Sequence, residues 1–173
     1  MQPFVESGMT FGPYAEGHCF HVERSETYRA IKDGVKMAEF LLLRTQGEGL
    51  PYIWIIEAKS GSPRPETQSD FNVFIGEIRD KLTNALAIGI ASILNRHPAA
   101  ADLPAGFKKI DLAVAGFRLV LIVNGHHKDW LPPLQEALRS ALHATTKTWA
   151  LGPNAVVAIN QEDAKRFGLI SAP

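Results

Sequence analysis

A mixed β-sheet with helices on both faces is the fold class this chain predicts, and three observations carry that expectation. Two β-rich segments, Val35–Leu43 and Tyr52–Ser60, flank a glycine- and proline-rich stretch, the pattern of a hairpin with a longer loop. The long segment Thr67–Asn95 instead repeats its apolar residues every three or four positions, as an amphipathic helix does. Beyond it, strand-like and helix-like segments alternate, which builds parallel βαβ units. A hairpin feeding βαβ units gives an α/β sandwich.

Each element has its own justification. Residues 1–24 are punctuated by Gly8, Gly12, Pro13 and Gly17 and are expected to form a loose arm, with a short strand at His18–Val22. Ser25 can cap a short helix to Lys32, and Asp33-Gly34 stops it. In the hairpin, Thr45-Gln-Gly-Glu-Gly-Leu-Pro51 is the loop, and Gly61-Ser-Pro-Arg-Pro65 bars a helix directly after the second strand. The stripe of the long helix runs through Phe71, Phe74, Ile78, Leu82, Ala85, Leu86, Gly89 and Ile93. His97–Gly106 is a loop. The central residues of Phe117–Val123 are apolar on both faces, which marks a central strand covered from both sides. Asn124-Gly125 ends it, Asp129 can cap a helix through Leu134–His143, Ala155–Ile159 is another strand, and Gln161–Phe167 closes as a short helix. With no linker or repeat, residues 1–173 form one domain: the arm (1–24), a hairpin–helix core (25–95) and a βαβα outer half (107–173).

Composition narrows the functional classes. The 173 residues are 46% hydrophobic and 21% charged, with a formal net charge of +0, so a protein that coats nucleic acid by bulk charge is not expected. One cysteine, Cys19, excludes an internal disulfide and a thiolate metal site. The first residues lack a basic start followed by an apolar core, and no apolar run reaches the ~20 residues that span a bilayer. A soluble, cytoplasmic protein is the expectation.

The chemistry concentrates in Tyr52-Ile-Trp-Ile-Ile-Glu57-Ala-Lys59-Ser60. Side chains two apart on a strand leave the same face, so Glu57 and Lys59 point to one spot. Both faces of this strand are otherwise apolar, which makes an edge strand with solvated charges the weaker account. If the hairpin is centred near Glu48, Glu39 falls opposite Glu57, with Cβ atoms about 4.5–5.5 Å apart. Two carboxylates so close repel unless a positive charge lies between them, and a hard divalent cation supplies it. Glu39 and Glu57 are therefore the expected ligands of Mg²⁺ (or Mn²⁺). Lys59 is expected to stabilise charge on a phosphate rather than to act as a base. Lys81, which could equally be solvated, and Ser60 are candidate phosphate contacts.

An acidic residue, a hairpin turn and Glu-x-Lys at a strand end, followed by a helix, resemble the PD-(D/E)xK superfamily of restriction-endonuclease-like nucleases. The resemblance covers about Ser25 to Asn95. It implies a restriction-endonuclease-like core and a metal-dependent nuclease that hydrolyses phosphodiester bonds, most naturally in DNA, in a restriction, defence or mobile-element setting. It further implies that Glu39 takes the first acidic place, that Glu57 and Lys59 form the Glu-x-Lys element, and that Glu26, or failing that Glu23, assists from the preceding helix. A homodimer or a partner protein would supply specificity. This chain departs from the pattern in having Met37-Ala38 before the first acid, where proline is usual, and Glu in place of Asp.

Two rivals have distinct expectations. A catalytically inactive binding or assembly module of the same fold would turn Glu39 away from Glu57. An unrelated α/β enzyme for small molecules would hold its pocket beyond Val123 and Ile159, near His126 and His127, with Glu57 and Lys59 apart. The adjacent histidines are otherwise expected in a polar turn, and Trp130 and Trp149 in the core.

Overall fold

The structure, a computed structural model, describes residues 1–46, 49–98 and 100–171. Its centre is a five-stranded sheet in the order β3 (Cys19–Phe20), β4 (Phe40–Gln46), β5 (Leu50–Lys59), β6 (Gly116–Val123) and β7 (Val156–Asn160). The β3–β4 and β4–β5 pairs are antiparallel, whereas β5–β6 and β6–β7 are parallel. The expected mixed α/β architecture is therefore present.

Helix α1 (Glu26–Ile31) lies between β3 and β4, and the Ser25 side chain accepts from the Tyr28 amide as its cap. Helix α2 (Gln68–Ile93) joins β5 to β6, while α3 (Leu131–Ala141) and α4 (His143–Thr148) join β6 to β7. The stripe of α2 packs on Leu41, Ile53, Ile55, Leu119 and Leu121, and α3 adds Leu134 and Leu138 to the same core. Gly89 brings α2 close to the sheet: a Cβ there would lie 2.5 Å from Leu41 Cδ2.

The opposite face carries Phe40, Leu42, Trp54, Ile56, Ala58, Val120 and Ile122. It is covered by α5 (Gln161–Arg166) and by a hairpin of β1 (Phe4–Glu6) and β2 (Met9–Phe11).

The fold corrects several expectations. The arm is not loose: Ser7 and Gly8, both at positive φ, close the β1–β2 hairpin, and Phe11 is fully buried. Burying Phe4, Met9 and Phe11 against Phe40 outweighs the glycine punctuation. The first hairpin strand begins at Phe40 rather than Val35, because Val35 donates to the Lys32 carbonyl in a turn that prolongs the end of α1. The loop is correspondingly tighter, with Thr45 and Pro51 already paired; its centre near Glu48 lies outside the described residues, as does Ala99 in the later loop. Asp129 does not cap α3. It lies in a 3-10 turn, and Trp130 takes the cap position without a side-chain bond. Trp130 and Trp149 are surface residues, 37% and 42% exposed.

No helix among the described residues is long and apolar enough to cross a membrane.

Candidate active site

Strand β5 delivers Glu57 to the sheet's carboxyl end on the face covered by α2. The parity is set by packing: Ile53 and Ile55 belong to the α2-side core, so Glu57 and Lys59 continue that face. Glu57 has no exposed surface, and Lys59 Nζ sits 2.8 Å from its Oε1. The predicted pair is therefore adjacent.

Lys81 completes it. Its Nζ also lies 2.8 Å from Glu57 Oε1 and 4.0 Å from Glu39 Oε1. One ammonium thus faces both carboxylates, which fixes Glu39 and Glu57 on one side of the sheet. The strand register agrees, since the last pair is Phe40 with Ile56, and Glu39 and Glu57 are the residues that adjoin it. The ladder bends there, because the Glu39 amide donates to the Ile56 carbonyl (3.1 Å).

Lys81 could have been assigned from its spacing. Phe74, Ile78, Lys81 and Ala85 follow one another at intervals of four, three and four, so Lys81 interrupts the apolar stripe itself.

The third carboxylate is Glu23, from the 3-10 turn Val22–Arg24, which acts on Glu39 and helps to raise its pKa. Glu26 lies elsewhere: its side chain is exposed, and its amide donates to Asp102 Oδ2 (2.7 Å). A helix N-terminus favours acidic residues in any case, so nothing in the sequence separates the two glutamates. Glu6, at the end of β1, also acts on Glu39 through space. The signal for it was the Ser7-Gly8 turn between Phe-Val-Glu and Met-Thr-Phe. Ser60 is exposed beyond the end of β5.

Burial raises the Glu39 pKa to about 8, helped by the hydrogen bond to Glu23 and by the charges of Glu57, Glu23 and Glu6. Glu39 therefore keeps its proton near neutrality. Burial also pushes Glu57 upward, while Lys81 and Lys59 pull against it. For Lys81, burial acts downward, but the Glu57 and Glu39 carboxylates outweigh it and its pKa is raised. Lys81 therefore stays an ammonium.

Glu57 Oε2 is buried and has no hydrogen-bond partner. An ionised carboxylate with one oxygen doubly paired and the other bare is an unfinished polar site. Among the described residues, no group of three or more His, Cys, Asp or Glu side chains is arranged to hold a metal ion. A dication held through one or two carboxylates and water needs fewer protein ligands, and the bare Glu57 Oε2 fits that type of binding.

The histidines beyond β6 differ from each other. His127 is exposed as expected of a turn, whereas His126 is only 8% exposed. A cavity of about 270 Å³ lies at the carboxyl ends of β6 and β7, lined by both histidines, Lys128 and Asn160. That meets one expectation of the small-molecule reading. The other fails, because Glu57 and Lys59 are in contact. No family model, curated protein or solved structure matches this chain.

Proposed function

We propose that the protein is a Mg²⁺-dependent nuclease that hydrolyses phosphodiester bonds, with DNA as the expected substrate. The observation that carries this reading is the buried Glu57 carboxylate, paired with two lysines through Oε1 and bare at Oε2. The resemblance to PD-(D/E)xK nucleases supports it, and a mixed sheet with the Glu-x-Lys element at a strand end is compatible with that fold.

In this reading Glu39 and Glu57 would hold Mg²⁺ (or Mn²⁺), which supplies Lewis acidity toward the phosphate and its attacking water. Lys59, 28% exposed, reaches toward solvent and neutralises charge building on the phosphate oxygens. Lys81 fixes Glu57 and keeps the two carboxylates together. The proton on Glu39 must leave before Glu39 can serve as a ligand, so binding is favoured by alkaline pH.

A second reading has an observation of its own. Lys59 and Lys81 already compensate Glu57, as a non-catalytic binding or assembly module would require. Plasmid nicking in Mg²⁺ separates the two. Nicking that is lost in both Glu57→Ala and Lys59→Ala supports the nuclease. Unchanged nicking in Glu57→Ala, or no cleavage by the wild type of either plasmid or single-stranded DNA, supports the module.

A further inference from the structure

Beyond the register pair Lys59–Val123, the segments that follow β5 and β6 run into a small cleft. Three residues further along each, Ser62 and His126 face one another, with Ser62 Oγ 3.5 Å from His126 Nδ1. The cleft encloses about 130 Å³, with Phe71 and Leu134 as apolar lining and Arg64 and Trp130 beside them. Phe71 and Leu134 belong to the α2-side core, so the cleft is on the same side of the sheet as Glu57. Three residues of chain reach at most about 11 Å, which keeps Ser62 close to Lys59.

Two features call for a ligand. The Arg64 guanidinium lies 4.4 Å over the Trp130 indole, yet Trp130 remains 37% exposed, so a planar cation–aromatic pair is presented to solvent. His126 meets the same ring edge-on, with centroids 5.4 Å apart and planes at 71°. Its Nε2 is buried without a hydrogen-bond partner. Burial lowers the His126 pKa, and a neutral imidazole offers one donor and one acceptor.

We propose that this cleft seats one unpaired nucleobase beside the scissile phosphate, stacked on the Trp130–Arg64 pair and hydrogen-bonded at its edge by His126 Nε2. The proposal rests on the nuclease reading and names its substrate class: nucleic acid with an unpaired base at the cut, in place of continuous duplex. The size favours one flat ring, since pockets for drug-sized ligands begin at about 300 Å³. Glu66 and Asp129 also line the cleft; their charge repels a phosphate and accepts the amino groups of a neutral base. Stacking on aromatic and guanidinium planes is the common way to hold such bases.

The test is fluorescence anisotropy with a labelled single-stranded DNA oligonucleotide and a blunt duplex of the same sequence. Ca²⁺ replaces Mg²⁺ to keep a hard dication present. Wild type is expected to prefer the single strand. Trp130→Ala should weaken that binding about tenfold and leave the duplex unchanged, while Trp130→Phe retains most of the affinity. Trp149→Ala, an exposed tryptophan elsewhere, should change nothing. Equal binding by wild type and Trp130→Ala, an equal loss on both substrates, or no binding by wild type overturns the proposal. Cleavage in Mg²⁺ on the same samples keeps the two ideas separate. Stacking-dependent binding without Glu57-dependent cleavage overturns the nuclease and leaves the base site standing. Glu57-dependent cleavage with binding indifferent to Trp130 does the reverse.

Discussion

The two faces of β5 are built from one run of ten residues and end differently. On the side of α5 and the β1–β2 hairpin, Trp54, Ile56 and Ala58 stay hydrocarbon to the end of the strand. On the α2 side, Ile53 and Ile55 give way to Glu57 and Lys59, and Lys81 arrives from the helix to meet them. The first face gains its energy from area removed from water. The second gives up such area to hold a buried carboxylate, which is stable only while its partners remain. A sheet stabilised by packing alone would not need that difference.

Exchanging one residue on each face gives the largest expected effects. Ile56→Ala should cost about 3 kcal/mol by leaving a cavity, and Glu57→Ala about 3 kcal/mol by leaving two facing ammonium groups uncompensated. Urea denaturation reads both losses. Only Glu57→Ala should also abolish stabilisation by Mg²⁺; if Ile56→Ala does so too, the two faces are not functionally distinct.

The pH dependence should single out the charged face next. Glu39 has its folded-state pKa raised to about 8 from the ordinary 4.5, so the folded state holds a proton that the unfolded state has released. Its contribution is full below pH 4.5 and is lost as pH rises to about 8. Thermal unfolding across this window should show falling stability in the wild type and a flatter profile in Glu39→Gln. Added Mg²⁺ should raise the melting temperature more at the alkaline end. A wild-type profile as flat as that of Glu39→Gln would remove Glu39 from the cluster.

A smaller effect is expected from Lys81→Met. Glu57 keeps Lys59, and the methionine fills the stripe, so the loss should be about 1–2 kcal/mol. With the ammonium gone, the Glu39 pKa should rise further, which NMR titration of the glutamate side chains would follow. The smallest change belongs to the other face. Arg44 stacks 4.9 Å over Trp54, and Arg44→Ala should cost about 1 kcal/mol or less without altering metal response.

The legible parts of the molecule were those where one local rule decides. β-rich apolar runs and a glycine-rich break located the β4–β5 hairpin, and its symmetry about Glu48 matched the register of Phe40 with Ile56. The 3.6-residue period located α2. What escaped depends on contacts far apart in sequence. Val35–Ala38 have strand-like composition but no partner strand among the described residues, and their course is set by the turn after α1. Glu23 and Glu26 are indistinguishable until Val22 is buried and Ser25 caps the helix. Glu6 reaches the cluster because aromatic packing and the hydrogen bond from Ser7 Oγ to the Ala58 carbonyl hold its hairpin down. Trp130 looks like core by residue type, yet its position at the start of α3 leaves it facing outward beside Arg64.

The central claim is that Glu57 Oε2 and Glu39 await a divalent cation, and calorimetric titration of Mg²⁺ into wild type and Glu57→Ala tests it most directly. Binding to the wild type that strengthens toward pH 8 and is absent from Glu57→Ala is the predicted result. Equal heats from the two proteins, or none from either at any pH, would contradict it and leave the lysines as the whole of Glu57's compensation.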